Sequence, residues 1–227
     1  MPSRSGPVIV IDPGHSPTIN AIDSATGLNV SDYENEPEMR DVLAIAELVK
    51  AKLITAGYRV VLTKTTAADR VSLAQRAAIA NTAHAALALS IHDQAGSNGG
   101  IAFDEGNNTV YYQSVGNYRE TSSGKKVVFT DQRIAALSMK YGQIFQAQRA
   151  NAEGHQITLR SNVGYDLGTR GLAPGNIWLV QLLSRVPWIY NEAGGNSAGM
   201  SGLNGTDERK YANGLVASVE HSVPLPR

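Results

Sequence analysis

Val8-Ile9-Val10-Ile11-Asp12-Pro13-Gly14-His15 decides the fold of this 227-residue chain. A β-branched run with no polar alternation reads as a strand buried on both faces, and Asp-Pro-Gly closes it in a turn. Asp12 and His15 are therefore expected at the strand's carboxyl end. Downstream, a loop rich in Ser, Thr, Asn, Asp and Gly runs to about Asp32. Asn35-Glu36-Pro37-Glu38 then opens a helix as an Asn-x-x-Glu capping box with a proline in its first turn. Val42, Ala46, Val49 and Leu53 recur at helical spacing, Gly57 ends the helix, and Arg59-Val60-Val61-Leu62-Thr63 is the next strand.

The alternation continues. Ser72-Leu73-Ala74-Gln75 is a second capping box, opening a short Ala-rich helix that ends near Asn81. Ala86-Leu87-Ala88-Leu89-Ser90-Ile91 is apolar on both parities and delivers His92 at its end. Strand, helix, strand, helix, strand specifies an α/β fold: a single domain over residues 1–227 with a twisted, mostly parallel sheet and helices on both faces. Residues 1–6 are expected to be a disordered leader or remnant. Further along, Thr109-Val110-Tyr111-Tyr112 reads as a strand and the residues through Lys125-Lys126 as a polar loop. Residues 131–150 read as a helix with Ile134, Leu137, Tyr141 and Ile144 on one face. Gly164 to Gly175 reads as a glycine-rich surface loop bordering a cleft, and Pro187-Trp188-Ile189-Tyr190-Asn191 as a late strand leading into Glu192. A final helix from Thr206 carries Tyr211, Leu215 and Val219 on its buried side.

Composition narrows the function. Twenty basic and 20 acidic side chains cancel to a net charge of +0, which removes the footprint of non-specific binding to nucleic acid or an anionic membrane. With 42% hydrophobic and 18% charged residues and a mean hydropathy of -0.19, the chain can bury a sizeable core. No apolar run reaches the roughly 18 residues of a spanning helix, so no membrane insertion is expected. Zero cysteines exclude disulfides, thiolate metal sites and a cysteine nucleophile, so any metal must sit on His, Asp or Glu.

In a parallel sheet the carboxyl ends of the strands share one edge, and ligand sites gather outside it. That rule brings His15, His92 and Glu192 together from distant parts of the chain. Glu38, at the amino end of the first helix, belongs to the same edge. A hydrolytic zinc centre needs three N/O ligands and one open position for water, with a further carboxylate to move the proton. Two histidines and two glutamates meet that requirement, with Glu192 as the proton carrier.

The pattern resembles the zinc-dependent N-acetylmuramoyl-L-alanine amidases of the Amidase_3 type, which cleave muramic acid from the peptide stem of peptidoglycan. The resemblance rests on Ile11-Asp12-Pro13-Gly14-His15, on Ala56-Gly57 with Val60-Val61-Leu62-Thr63-Lys64, and on Leu73, Arg76 and Ala80-Asn81. It continues through Ser90-Ile91-His92, Asn191-Glu192-Ala193-Gly194 and Tyr211-Ala212-Asn213-Gly214-Leu215. It implies that His15 and His92 bind Zn2+, that Glu192 is the catalytic carboxylate, and that peptidoglycan or a muropeptide is the substrate. The third ligand in that family opens the helix ending at the Ala-Gly. Counting back from Gly57 gives Glu38, with Glu36 in reserve. Ser16-Pro17 after the first histidine, a longer loop to Glu38, and Gly195-Asn196-Ser197 depart from the family's usual form and bear on the shape of the cleft.

Each residue also has a plainer reading. His15 could be a turn residue, Glu38 a helix cap, and Glu192 the partner of a buried base. Asp12 is expected to orient His15 or brace its turn, and Arg76 to pair at the sheet edge. His84, His155 and His221 have no companions at ligand spacing. Tyr111, Tyr112, Trp178 and Trp188 are core aromatics by default. Two other functions are compatible with the sequence: a non-catalytic amidase-like module that binds peptidoglycan, and a zinc peptidase or deacetylase. A monomer acting outside the cytoplasm is expected, with its export signal trimmed; a phage-type lysin is the alternative.

Overall fold

Strand β1, Val8–Pro13, is buried along its whole length and lies inside the sheet, paired in parallel with a strand on each side. The structure, a computed structural model, describes residues 6–93, 108–162, 178–194, 203 and 205–226. Residues 1–5 of the expected leader, the Gly164 to Gly175 loop and Gly195-Asn196-Ser197 lie outside the described residues. The elements that follow β1 are α1 (Glu36–Ala56), β2 (Arg59–Leu62), α2 (Leu73–Thr82), β3 (Leu87–Asp93) and β4 (Thr109–Tyr112). Then come β5 (Tyr118–Glu120), β6 (Lys126–Val128), α3 (Gln132–Glu153), β7 (Thr158–Ser161), α4 (Leu179–Leu183), β8 (Trp188–Ala193) and α5 (Gly205–Ser222).

The main sheet has the order β2-β1-β3-β8-β4-β7. Strands β2, β1, β3 and β8 are parallel, while β4 pairs antiparallel with β8 and parallel with β7. The mostly parallel α/β sheet read from the sequence is thus observed. Side chains alternate across it. Ile9, Ile11, Leu87, Leu89 and Ile91 pack with Val42, Ile45 and Val49 of α1, Phe145 of α3 and Leu215 of α5. Val8, Val10, Ala88 and Trp188 pack with Leu73 and Ala80 of α2 and Leu179 and Val180 of α4. Burial on both faces is what a continuous apolar strand requires, and each such side chain contributes about 1.5–3 kcal/mol.

Helix α1 stops where expected. Gly57 takes φ 113, and its N–H donates to the carbonyls of Leu53 and Ile54, a termination that a side chain at this φ would strain. Helix α2 starts on the reciprocal capping box of Ser72 and Gln75. Three local readings need correction. Asn35 makes no side-chain cap to the α1 backbone, because its amide and the Glu38 carboxylate pair with each other at 2.7 Å. The segment read as a polar loop through Lys125-Lys126 folds as the antiparallel pair β5–β6, outside the main sheet. Helix α3 buries Ile134, Ser138, Gly142, Phe145, Arg149 and Glu153, not the Leu137–Tyr141–Ile144 face. Leu137, Tyr141 and Ile144 lie half-buried at the edge of that face, which continues through the mutually bonded Arg149 and Glu153.

Candidate metal centre and catalytic edge

The register of the sheet sets the site. His92 lies directly opposite Glu192 on the neighbouring strand β8, and β1 runs beside β3 up to Pro13↔Ile91. The chain then turns back under the sheet edge, with Gly14 N–H donating to Ile91 O at 2.9 Å. This turn carries His15 to within 4.8 Å, ring centroid to centroid, of His92 at an interplanar angle of 90°. A side chain is excluded at position 14, since a Cβ there would fall within 3.0 Å of three atoms of the His92 imidazole.

Glu38, in the first turn of α1, bridges the two histidines. Its Oε2 lies 3.1 Å from His15 Nε2 and its Oε1 lies 2.8 Å from His92 Nδ1. Asp93 N–H also donates to Oε1 at 3.3 Å. One donor atom from each of His15, Glu38 and His92 lies within 4.8 Å of the others, and all three side chains are buried. Ligand atoms at about 2.0–2.2 Å from a common ion have to be about this close.

Electrostatics at this point call for positive charge. Burial disfavours an imidazolium at His15, yet the Glu38 and Asp32 carboxylates outweigh it and lift its pKa to about 10. Against its own burial, Glu38 is held far below the ordinary carboxylate range by His15 and His92. His92 is pushed down by burial. A proton on His15 and a divalent cation would compete for the same place, which is the behaviour of a site built for metal. Two imidazoles and a carboxylate also suit a tetrahedral zinc ion with one open position. The donor set therefore fits the ion that the sequence implies.

Glu192 is partly exposed and shares the edge with this group. Loss of hydration, followed by the charges of Glu38 and Asp93, pushes its carboxyl well above the usual range, while His15 pulls it down. A cation held by Glu38 would offset that carboxylate's charge and bring Glu192 back toward ordinary acidity. Tyr190, two residues before it on β8, stacks on His92, with centroids 4.5 Å apart at 26°.

A buried polar network underlies the edge. Asp32 Oδ1 faces His15 Nδ1 at 3.3 Å and accepts the Tyr33 N–H at 2.9 Å. Arg76 pairs with Asp12 at 2.8 Å and with Asp32 at 3.0 Å, and donates to the carbonyls of Pro13 and His15. Asp12 also accepts from Thr63 at 2.6 Å and from Ser90 at 2.9 Å. Lys64 donates to the carbonyls of Gly14 and His15, and burial together with Arg76 lowers its pKa to about 8. Asp12 thus braces the turn, as one of its two expected roles had it, and Arg76 pairs at the sheet edge. The residue that orients His15 is Asp32, at the end of the polar segment that follows it. The signal available was the apolar pair Leu28-x-Val30 just before it, which marks this stretch as buried.

Glu36 is outside the group, paired on the surface with Arg40. His155 and His221 also stand apart, the first near Glu153 and the second bonded to the Ala217 carbonyl. Tyr111, Trp178 and Trp188 are buried as core aromatics, while Tyr112 packs against the core from a partly buried position.

Comparison with known proteins identifies the family and the fold. The family model Amidase_3, described as N-acetylmuramoyl-L-alanine amidase, matches residues 9–221. No curated protein matches the chain. Among solved structures, the fold is similar to that of the N-acetylmuramyl-L-alanine amidase Ami1 from Mycobacterium smegmatis, at 19% identity and a TM-score of 0.65, covering 97% of this chain and 98% of that one. It is similar to the catalytic domain of CwlV, an N-acetylmuramoyl-L-alanine amidase from Bacillus (Paenibacillus) polymyxa var. colistinus, at 21% identity and a TM-score of 0.62, covering 97% and 99%. An N-acetylmuramoyl-L-alanine amidase from Clostridium difficile 630 aligns at 20% identity with a TM-score of 0.60, covering 95% and 96%. At these identities the likeness speaks for the fold, and the family model spans nearly the whole chain: the protein belongs to the Amidase_3 family of N-acetylmuramoyl-L-alanine amidases.

Proposed function

We propose that His15, Glu38 and His92 hold a zinc ion and that Glu192 moves the proton in hydrolysis of the amide between N-acetylmuramic acid and L-alanine. Membership of Amidase_3 makes the protein a peptidoglycan amidase. The observation that carries the assignment of residues is the convergence of three buried donors within 4.8 Å, beside a carboxylate in register with one of them. Bound there, zinc supplies Lewis acidity toward the amide carbonyl and acidifies a water.

The chain's own groups do the rest. Glu192 takes a proton from the attacking water as its oxygen bonds to the lactyl carbonyl carbon. It returns that proton to the alanine nitrogen as the C–N bond breaks, leaving a carboxyl group and a free stem peptide. Asp32 keeps the His15 Nδ1 occupied so that Nε2 faces the site, and Gly14 lets the turn approach His92. A non-catalytic module would have no use for both the three-donor group and Glu192.

The substrate lies outside the cytoplasmic membrane, so the protein acts there. An export signal is the route we favour, over release as a phage-type lysin. No helix among the described residues is long and apolar enough to cross a membrane. A monomer suffices, since one chain supplies all four side chains.

Metal analysis combined with digestion of purified muropeptides tests the assignment. One zinc per chain and release of free stem peptide are expected, with activity lost on chelation and restored by zinc. Glu192→Ala should keep zinc and lose turnover, whereas His15→Ala and His92→Ala should lose both. Release of acetate or single amino acids would instead indicate a deacetylase or a peptidase.

A further inference from the structure

The segment between His15 and Glu38 is folded back on itself rather than loose. Isolated bridges join Ile19 with Asp32 and Ile22 with Asn29, and Ala21 O accepts the Val30 N–H at 2.9 Å. Leu28 and Val30 anchor this arm in the core on the α2 side. The arm ends on Asp32, whose Oδ1 takes the backbone N–H of Tyr33 while facing His15 Nδ1, so one carboxylate sets the positions of both residues. Thr18 closes the next step of chain by accepting the Glu34 N–H at 3.4 Å.

This arrangement holds Tyr33 against His15 of the metal group. Its ring lies 4.3 Å from the His15 imidazole, tilted by 46°. His15, Glu38 and His92 are each no more than 4% exposed, whereas Tyr33 is 46% exposed. It therefore stands on the solvent side of His15, where a substrate can reach it. An apolar side chain would cover His15 equally well, so the phenol hydroxyl is surplus to packing. At neutral pH an ordinary phenol carries its proton and is a hydrogen-bond donor.

Resting on the catalytic reading above, we propose that Tyr33 is a further catalytic residue, whose hydroxyl donates a hydrogen bond to the oxygen of the scissile amide as negative charge develops there. The phenol keeps its proton throughout. The water oxygen still bonds to the carbonyl carbon, the C–N bond still breaks, and the transferred proton still travels through Glu192. Tyr33 adds a preorganised dipole to the charge that forms on the carbonyl oxygen, where such a donor acts more strongly in the transition state than in the bound substrate.

Steady-state kinetics of Tyr33→Phe on a defined muropeptide, alongside Tyr33→Ala and Glu192→Gln, test this. For Tyr33→Phe, kcat should fall on the order of 10²-fold, with KM, zinc content and thermal midpoint near those of the parent. Tyr33→Ala should show at least the same loss of kcat. Wild-type kcat in Tyr33→Phe would overturn the proposal, whether or not Tyr33→Ala raises KM, because the ring alone would then be the working part. Loss of zinc in Tyr33→Phe would also overturn it, since the hydroxyl would then serve the ligands and not the substrate. Glu192→Gln separates this idea from the one it rests on: an active Glu192→Gln enzyme defeats the assignment of the base, while an inactive one beside a fully active Tyr33→Phe defeats the role of Tyr33 alone.

Discussion

Asp32 and His15 face each other at 3.3 Å in the buried layer beneath the metal group, Oδ1 toward Nδ1. The other oxygen of Asp32 is held by Arg76 at 3.0 Å. The carboxylate therefore cannot turn away, and His15 is fixed with Nε2 directed at Glu38. Groups that orient a ligand in this way raise its basicity as well as setting its tautomer. Asp32→Asn preserves volume but removes the charge that stabilises the Nδ1 proton. Zinc affinity is expected to fall about 10–100-fold, read by competition with a chromophoric chelator. Unchanged affinity would show that the ring is held by its packing alone.

The contact between Gly14 and His92 carries a different expectation. A Cβ on residue 14 would overlap the His92 ring, and that ring is restrained on two sides. Tyr190 stacks against it at 4.5 Å, and its Nδ1 is engaged by Glu38 at 2.8 Å. Gly14→Ala should therefore move either the imidazole or the Asp-Pro-Gly turn. Overpacking of this kind costs about 1–3 kcal/mol. Urea unfolding should show that loss, and zinc titration should show weakened binding in the protein that remains folded. A variant that binds zinc like the parent would mean that the turn relaxes without disturbing the ligands.

Much of this site is legible in the sequence because strand ends are. The run from Val8 to Ile11 has one reading, and once the sheet is parallel the rule about strand ends places His15, His92 and Glu192 on one edge without further information. Helix α1 adds Glu38 by its position in the first turn. Period and propensity cannot show how a short polar residue is used. Asn35 and Glu38 look like a cap because their spacing suits one, but the Glu38 carboxylate turns to the two imidazoles and takes the Asn35 amide with it. Asp32 and Tyr33 sit in a stretch whose polar composition hides the burial of Leu28, Val30 and Asp32. Helix α3 misleads for a related reason, since its inward face includes Arg149 and Glu153, charged residues that a hydrophobic pattern assigns to solvent.

That arginine and glutamate supply the final expectation. Arg149 Nε and one terminal nitrogen bind the two oxygens of Glu153 at 2.7 and 3.1 Å, in a buried fork whose outer oxygen also faces the exposed His155 at 3.3 Å. The guanidinium also donates to the carbonyls of Thr109 and Glu192 at 3.2 and 3.1 Å and lies 4.4 Å from the centre of the Tyr211 ring. It thus ties α3 to β4, β8 and α5 at the point where the sheet changes direction. Removing one partner of a buried pair strands the other charge, at a cost of about 3–5 kcal/mol, whereas replacing both by apolar groups of similar volume is often neutral. Arg149→Met alone should accordingly lower the unfolding free energy by about that amount. Arg149→Met combined with Glu153→Leu should recover part of the loss but not all, because the Thr109 and Glu192 carbonyls still lose the bonds from the guanidinium. Urea denaturation of the parent, both single variants and the double variant closes the cycle. Additive losses in the double variant would mean that the two side chains act independently and that the fork contributes nothing as a pair.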